Sequence, residues 1–166
     1  MTEINPYSLN ENAFDLIGKK WGLVGAKTED GKYNCMTVSW GGMGILWNKP
    51  VCFLFIRPQR YTFEFTEKTN FISLSFFDGK YRKDLSYLGT VSGRDGDKIA
   101  KTDLVPVIKD EYLTFDNANL TFLCKKIYYN DLLPENFLSA DIIKHYDQND
   151  FHRMYICEIE KIYKKM

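Results

Sequence analysis

Residues 51–57 read VCFLFIR, a near-continuous apolar run between Pro50 and Pro58. An apolar run of this length is typical of a β-strand that is covered on both faces. Proline lacks a backbone N–H and fixes φ, so the two flanking prolines indicate where the strand is interrupted. The segment therefore predicts a strand in the interior of the protein.

Other segments predict a sheet around this strand. Residues 71–77 (FISLSFF) alternate, with Ile72, Leu74 and Phe76 on one face of the predicted strand and serines on the other. Residues 29–32 (EDGK) have the composition of a hairpin turn. Further strands are predicted at residues 21–27, 33–40, 113–115, 119–128 and 153–162.

Short helices are predicted at residues 10–19, 62–68, 97–102 and 135–146. Thr62 and Asp97 suit the N-cap position, because their side-chain oxygens can accept hydrogen bonds from the free N–H groups of a first helical turn. Six or more strands with two to four short helices predict an α+β domain, mainly β, whose antiparallel sheet can close as a barrel. The length of 166 residues predicts a single domain, residues 1–166.

Charge and composition exclude several classes of function. The 22 Lys and Arg residues balance 22 Asp and Glu residues, which argues against nucleic acid or an anionic membrane as the main partner. No apolar run approaches the roughly 20 residues of a membrane helix, and residues 1–12 lack the features of a signal peptide. These observations predict a soluble, cytoplasmic protein.

The cysteines and histidines do not predict a metal site. Cys35, Cys52, Cys124 and Cys157 show no C-x-x-C spacing, and each lies in an apolar run, which favours buried free thiols in a reducing compartment. With only two histidines in the chain, a histidine-rich metal centre is not expected either.

Residues 33–44 (YNCMTVSWGGMG) combine strand-like alternation with unusual polarity. Asn34, Thr37 and Ser39 offer side-chain hydrogen-bonding groups between the apolar positions, and a tryptophan then leads into three glycines. One interpretation is a strand whose polar groups hold a ligand. The other is an ordinary half-buried strand that ends in a glycine turn.

Two further segments are suited to an anion. Residues 56–62 (IRPQRYT) place Arg57, Arg60, Tyr61 and Thr62 between a buried strand and a helix start, where N–H groups, hydroxyls and guanidinium groups can bind a phosphate. The alternative is a solvated loop with an N-cap threonine.

The other segment is residues 89–98 (GTVSGRDGDK). Ser92, Gly93 and neighbouring small residues permit close approach of the backbone to a ligand, and Arg94 and Lys98 add positive charge. The segment matches neither the Walker nor the dinucleotide glycine motif. Its alternative interpretation is a flexible surface loop.

No side-chain constellation for catalysis is apparent. His152 precedes the last predicted strand, but a lone histidine is more often structural than catalytic. Neither a nucleophile with its base nor a pair of carboxylates stands out. Chemistry carried by a bound cofactor fits this absence.

Taken in order, these segments resemble the flavin reductase family of FMN-binding split-barrel proteins, including its flavoredoxin-like members. The resemblance lies in NCMTVSWGG followed by WNKP, then IRPQRYTFEF, then FFDGKYRKDLSYLGTVSGRDGDK, and finally FHRMYICEIEKI. It extends over residues 21–162. The order and spacing of the segments carry it, since no single motif is diagnostic.

The resemblance implies an antiparallel, Greek-key-like split β-barrel with short flanking helices, which forms a homodimer and binds FMN near the subunit interface. His152 matches a family histidine near the nicotinamide or substrate side, and no side chain is an obligatory acid or base. Cys157 stands where many relatives carry glycine. The cofactor-binding residues implied are Asn34, Met36, Thr37, Val38, Ser39 and Trp40 along the ring and ribityl chain, Arg57, Arg60, Tyr61 and Thr62 near the ribityl and phosphate, and Ser92, Gly93, Arg94 and Lys98 at the phosphate or the ring edge.

Three functions remain open at this stage. The first is a flavin or ferric reductase that uses NADH or NADPH and moves hydride from nicotinamide to N5 of the flavin. The second is a flavoredoxin-like FMN electron carrier that a partner protein reduces. The third is a structural or regulatory barrel without a cofactor.

Overall fold

The computed structural model describes residues 1–165 and consists mainly of antiparallel strands. Three α-helices are present in these residues: α1 at Tyr61–Lys68, α2 at Arg82–Thr90 and α3 at Ala140–Ile143. The strands are β1 Thr2–Ile4, β2 Gly22–Lys27, β3 Tyr33–Val38, β4 Gly41–Leu46, β5 Lys49–Ile56, β6 Phe71–Phe76, β7 Pro106–Lys109, β8 Tyr112–Phe115, β9 Leu120–Asp131 and β10 Arg153–Lys164.

Eight of the strands form one sheet in the order β3-β2-β6-β9-β10-β5-β4, with β1 paired to β10. All of its pairings are antiparallel. The strand β10 connects the two parts of the sheet, since it pairs with β9 on one side and with β5 on the other. The remaining strands, β7 and β8, form a separate hairpin.

The sheet is curled because its two edge strands are consecutive in the chain. β3 ends at Val38 and β4 begins at Gly41, so only residues 39 and 40 separate the two edges of the sheet. Three trans peptide steps span at most about 11 Å. The edges therefore lie close together without pairing to each other, which makes the architecture a barrel that is open along one seam. This is the split barrel that the sequence predicts.

Apolar packing on both faces stabilises β2. Leu23 contacts a cluster under α2 that includes Leu85 and Leu88, whereas the next residue, Val24, faces the barrel interior with Leu54. Successive strand residues point to opposite faces, so one strand contributes to both clusters. This arrangement holds α2 against the strands that line the site.

All four cysteines are free and buried, as predicted. Cys52, Cys124 and Cys157 lie in the neighbouring strands β5, β9 and β10 and belong to the barrel core. The Sγ atoms of Cys52 and Cys124 are 3.6 Å apart. No group of three or more potential ligands within residues 1–165 is arranged to bind a metal ion.

The glycine-rich stretch after Trp40 forms a strand and not a turn. Gly41–Leu46 is β4, and the hairpin turn lies later, at Trp47 and Asn48, where φ is 52° and 58°. The expected strand break at Pro50 is also wrong. Pro50 lies within β5, beyond the last residue that pairs with β10, so its missing N–H removes no hydrogen bond from that ladder.

The helix predictions were partly correct. The helix expected at residues 10–19 is a short π-helix at Asp15–Lys20, and α1 begins at Tyr61 with Arg60 in the N-cap position, so Thr62 is not its cap. The helix expected at residues 97–102 is a short 3₁₀ turn at Ile99–Lys101 with Lys98 in the N-cap position. Asp97 still satisfies its start, since Oδ1 accepts from the N–H groups of Ile99 and Ala100.

The helix expected at residues 135–146 is wrong. The segment contains three separate short helical pieces: a 3₁₀ turn at Pro134–Asn136, the four-residue α3, and a 3₁₀ turn at Lys144–Tyr146. In contrast, α2 was not predicted, although Leu85 and Leu88 lie three residues apart on its buried face.

No helix within residues 1–165 has both the length and the apolar character that a membrane crossing requires.

Candidate functional site

Two adjoining pockets lie along β3, the edge strand at the seam of the barrel. The basic pocket has a volume of about 150 Å³ and is lined by Asn34, Gln59, Arg60, Tyr61, Thr62, Thr90, Val91, Ser92, Gly93, Arg94 and Lys98. The aromatic pocket has a volume of about 190 Å³ and is lined by Met36, Thr37, Val38, Ser39, Trp40, Phe55, Arg57 and His152. Every candidate site residue predicted from the sequence therefore lies in one of these two pockets.

Thr62 links β3 to the start of α1 at the floor of the basic pocket. Its hydroxyl donates to the carbonyl oxygen of Cys35 at 3.0 Å and accepts from Nδ2 of Asn34 at 3.0 Å. Thr62 is only 1% exposed. These two bonds fix the Asn34 side chain at the basic pocket, away from the aromatic pocket where the ring was expected.

Arg60 and Lys98 are the two cations of the basic pocket without a carboxylate partner among residues 1–165. Arg60 donates to the carbonyl oxygen of Gly89, and Nζ of Lys98 donates to the carbonyl oxygens of Leu88 at 2.9 Å and Val91 at 3.1 Å. Burial lowers the pKa of both side chains. A bound anion would offset this unfavourable burial of positive charge.

The loop after α2 approaches the same pocket through Gly93. A Cβ at this position would stand 2.6 Å from Oδ1 of Asn34 and 2.9 Å from Cδ1 of Tyr61. The hydroxyl of Ser92 accepts from the N–H of Arg94 at 3.2 Å. The loop can therefore lie against β3 only because residue 93 has no side chain.

Arg94 differs from the other cations of the basic pocket because its charge is already paired. Its guanidinium bonds to the carboxylate of Glu64, and its Cζ lies 4.9 Å from the centroid of the Tyr61 ring. Nη1 also donates to the carbonyl oxygen of Gln59 at 3.1 Å. Arg94 therefore forms the exposed rim of the basic pocket.

Trp40 is the largest flat surface of the aromatic pocket. Its ring centroid is 5.4 Å from that of His145 and 5.2 Å from that of His152. The indole is 44% exposed, so one part of it is available to a ligand or a partner. Thr37 contributes less than expected, because its hydroxyl donates to the carbonyl oxygen of Leu85 in α2 at 2.6 Å.

Arg57 belongs to the aromatic pocket rather than to the basic pocket. It pairs with Asp150, donates to the carbonyl oxygen of His145 at 2.9 Å, and places its Cζ 5.2 Å from the centroid of the Tyr146 ring. Gln59 donates to the same carboxylate oxygen of Asp150 that accepts from Arg57. The other oxygen, Oδ1, is buried and has no hydrogen-bond partner.

His152 is a buried, neutral imidazole at neutral pH. Burial, with a smaller contribution from the charge of Arg57, lowers its pKa to about 4. Its Nδ1 lies 2.8 Å from the hydroxyl of Tyr146. Sequence reasoning missed Tyr146 and Asp150, because the helix wrongly expected at residues 135–146 concealed how the HYDQNDFHR segment folds back onto Arg57.

The two pockets together suit an elongated ligand whose two ends differ in chemistry. Asn34 and Val38 are four residues apart on β3, which corresponds to roughly 13 Å. At one end the pocket offers uncompensated positive charge; at the other it offers a flat aromatic surface and a neutral imidazole. The arrangement can therefore bind a molecule with an anionic group at one end and a planar ring at the other.

A larger cavity, of about 650 Å³, lies elsewhere and is a weaker candidate. Most of its basic side chains are already engaged. Lys164 pairs with Glu11 at 2.9 Å, while Arg82 donates to the carbonyl oxygen of Lys20 and stacks on the ring of Trp21. Volume alone therefore does not identify the site.

No protein-family model matches the sequence, and no curated protein matches it. Solved structures do share the fold. Flavoredoxin from Methanosarcina acetivorans is 20% identical with a TM-score of 0.68, over 88% of this chain and 68% of that chain. The FMN-binding domain of a flavin reductase-like enzyme from Shewanella baltica is 13% identical with a TM-score of 0.70, over 98% and 76%.

A third structure with this fold is the styrene monooxygenase flavin reductase from Pseudomonas putida. It is 14% identical to this chain with a TM-score of 0.64, over 87% of this chain and 79% of that chain. These likenesses confirm the split-barrel fold that the resemblance implied.

Proposed function

We propose that the protein is an FMN-binding oxidoreductase of the flavin reductase family that uses NADH or NADPH. One observation carries this proposal: Arg60 and Lys98 are partly or wholly buried without a carboxylate partner, and their pocket adjoins a second one lined by Trp40. A flavin mononucleotide has the matching chemistry, since it carries a phosphate at one end and a planar ring at the other. Two FMN-binding proteins that share the fold, from Thermus thermophilus and Shewanella baltica, support the same cofactor.

The residues of the basic pocket fit a phosphate. Arg60 and Lys98 supply charge, Thr62 holds the Asn34 amide in place, and the Gly93 backbone can approach closely. In this proposal the polar strand from Met36 to Trp40 runs beside the ribityl chain and the ring, and His152 closes the far end. The chemistry that bound FMN would supply is the acceptance of a hydride from a nicotinamide and the transfer of electrons to a further acceptor.

The side chains of this protein bind and orient in the proposed reaction. Trp40, held between His145 and His152, offers a flat surface that limits the ring planes available to a ligand. His152 is neutral and can form a hydrogen bond without adding charge. The partly buried pair of Arg57 and Asp150 supports this wall.

A homodimer is also proposed. Trp40, Ile45 and Trp47 are exposed by 44%, 59% and 55%, and they lie on or next to β4, the edge strand at the seam. Large apolar side chains on an unpaired edge favour burial against a second chain.

The four free cysteines support a reducing compartment, the cytoplasm, as the place of action.

The second candidate function is an FMN electron carrier that a partner protein reduces. The small volume of the aromatic pocket, about 190 Å³, favours this alternative because it leaves little room for a nicotinamide beside a ring. The flavoredoxin with the same fold also supports it.

Two measurements test the proposal in sequence. Titration of the purified protein with FMN is expected to give saturable binding, and a protein that binds no FMN would exclude both flavin functions. The FMN-loaded protein is then mixed anaerobically with NADH or NADPH. Rapid loss of the oxidised-flavin absorbance supports the reductase, whereas flavin that stays oxidised until a redox protein is added supports the carrier.

A further inference from the structure

The hydroxyl of Tyr146 is held in place against His152. The oxygen lies 2.8 Å from Nδ1 of His152. The Tyr146 ring is 6% exposed and stacks on Phe151 with a centroid distance of 4.8 Å and an interplanar angle of 21°. Because a stacked, buried ring has little freedom, the contact with His152 is a fixed feature of the pocket wall.

The chemistry of the two groups favours the tyrosine as the donor in this pair. A neutral imidazole has one protonated and one unprotonated nitrogen, and the hydrogen bond made by one nitrogen determines where the proton resides. A phenol is a good donor, and an unprotonated imidazole nitrogen accepts more strongly than a phenol oxygen. Burial raises the pKa of the Tyr146 hydroxyl, with a smaller opposite contribution from the charge of Arg57, so the phenol keeps its proton and can donate it.

The proton of His152 therefore resides on Nε2, which remains available. No side chain or carbonyl within residues 1–165 hydrogen-bonds to Nε2. Nε2 is also not fully enclosed by the protein, so a ligand can reach it. His152 lines the aromatic pocket, and its ring centroid is 5.2 Å from that of Trp40. Nε2–H is thus a directed donor beside a flat indole surface.

We propose that Tyr146 is a positioning residue that fixes His152 as the Nε2–H tautomer, so that His152 donates a hydrogen bond to the carbonyl oxygen of a planar ring lying against Trp40. The ligand class is a flat ring with an exocyclic carbonyl or carboxamide oxygen. The location of this ligand rests on the proposed function, whereas the tautomer is a property of the protein without any ligand.

The tautomer is tested by long-range ¹H–¹⁵N correlation of the two histidines in the full-length protein at pH 7. We expect His152 to show a protonated Nε2 and an unprotonated Nδ1. In Tyr146→Phe the ring stacking is retained and the hydroxyl is lost, so we expect a mixture of tautomers. Tyr7→Phe removes a hydroxyl from an exposed ring and should leave the His152 signals unchanged.

The ligand class is tested with benzamide, which has the carbonyl oxygen, and toluene, which has only the ring. Benzamide should bind the wild-type protein about five- to tenfold more tightly than toluene and shift the Nε2 signal. In Tyr146→Phe the preference should decrease in proportion to the fraction of His152 that has lost the Nε2 proton, because only the Nε2–H tautomer can donate.

Three results would overturn the proposal: an Nδ1-protonated or charged His152 at pH 7, an unchanged tautomer in Tyr146→Phe, or equal binding of the two probes. Each is independent of FMN titration. A protein that binds FMN but fails these tests would leave the proposed function intact.

Discussion

Gly93 and Asn34 are in direct contact across the basic pocket. A Cβ on Gly93 would stand 2.6 Å from Oδ1 of Asn34, while Nδ2 of the same amide bonds to Thr62 at 3.0 Å. The amide therefore cannot move away from residue 93 without losing its bond to Thr62. The loop after α2 and the edge strand β3 thus form one continuous wall, which would carry the phosphate in the proposed function.

Gly93→Ala is expected to weaken FMN binding by tenfold or more, since the added methyl group displaces either the loop or the Asn34 amide. The dissociation constant for FMN, measured by flavin fluorescence, checks this expectation. Gly79→Ala is the matched control, because a Cβ there meets no atom within 4 Å. Equal effects of the two substitutions would show that the Gly93 contact has no bearing on the ligand.

Arg60→Ala should weaken FMN binding by about 1.5–3 kcal/mol, the usual cost of losing a hydrogen bond to a charged group. Riboflavin lacks the phosphate, so its affinity should change little. Comparing both flavins by titration calorimetry separates a phosphate contact from a general disturbance. Lys101→Ala, an exposed cation outside the pocket, serves as the control. A parallel loss of riboflavin affinity would place Arg60 elsewhere than at the phosphate.

Thr62→Val should destabilise the fold by about 1–3 kcal/mol, because the carbonyl of Cys35 and the amide of Asn34 both lose their partner in a buried place. Urea unfolding measures this change. Thr62→Ser keeps the hydroxyl and should recover most of the lost stability. If the serine variant is as unstable as the valine variant, packing of the methyl group is the dominant contribution of Thr62.

The neutral state of His152 predicts a loss of stability in acid. Its pKa is about 4 in the folded protein, against about 6.5 in an unfolded chain. Between these values the unfolded state binds the proton and the folded state does not, so the free energy of unfolding falls as the pH falls from 6.5 to 4. The contribution of this group is up to about 2–3 kcal/mol.

Urea unfolding at pH 7 and pH 4.5 measures this loss in the wild-type protein and in His152→Gln. The variant has no imidazole to protonate, so its decrease in stability between the two pH values should be smaller. An identical decrease in both proteins would mean that carboxylates alone cause the acid sensitivity.

Most of the sheet follows from local sequence patterns, whereas its deviations depend on distant contacts. The run at residues 51–57 and the alternation at residues 71–77 correctly predict β5 and β6, because strands that are buried on one or both faces have a recognisable pattern of apolar residues. The glycine-rich sequence of β4 has no such pattern. They form a strand because β5 lies beside them, with Phe53 opposite Gly42.

In the candidate site, too, some features follow from local sequence patterns and others depend on distant contacts. The positive residues and the polar strand are visible in the sequence, but their division between two pockets is not. Arg57 and Arg60 are three residues apart, yet Arg57 pairs with Asp150 while Arg60 faces Gly89. The role of Tyr146 depends on a turn whose end is fixed by packing on Phe151, which no local pattern reveals.

The central position of β10 has a consequence for how the chain folds. β10 follows every other described strand in the chain, yet it is the strand that joins β9 to β5. During synthesis the facing edges of β9 and β5 therefore stay unpaired until β10 has left the ribosome. The completion of the barrel is a late step, and the nascent chain passes through a stage with two open edges that chaperones can protect from aggregation.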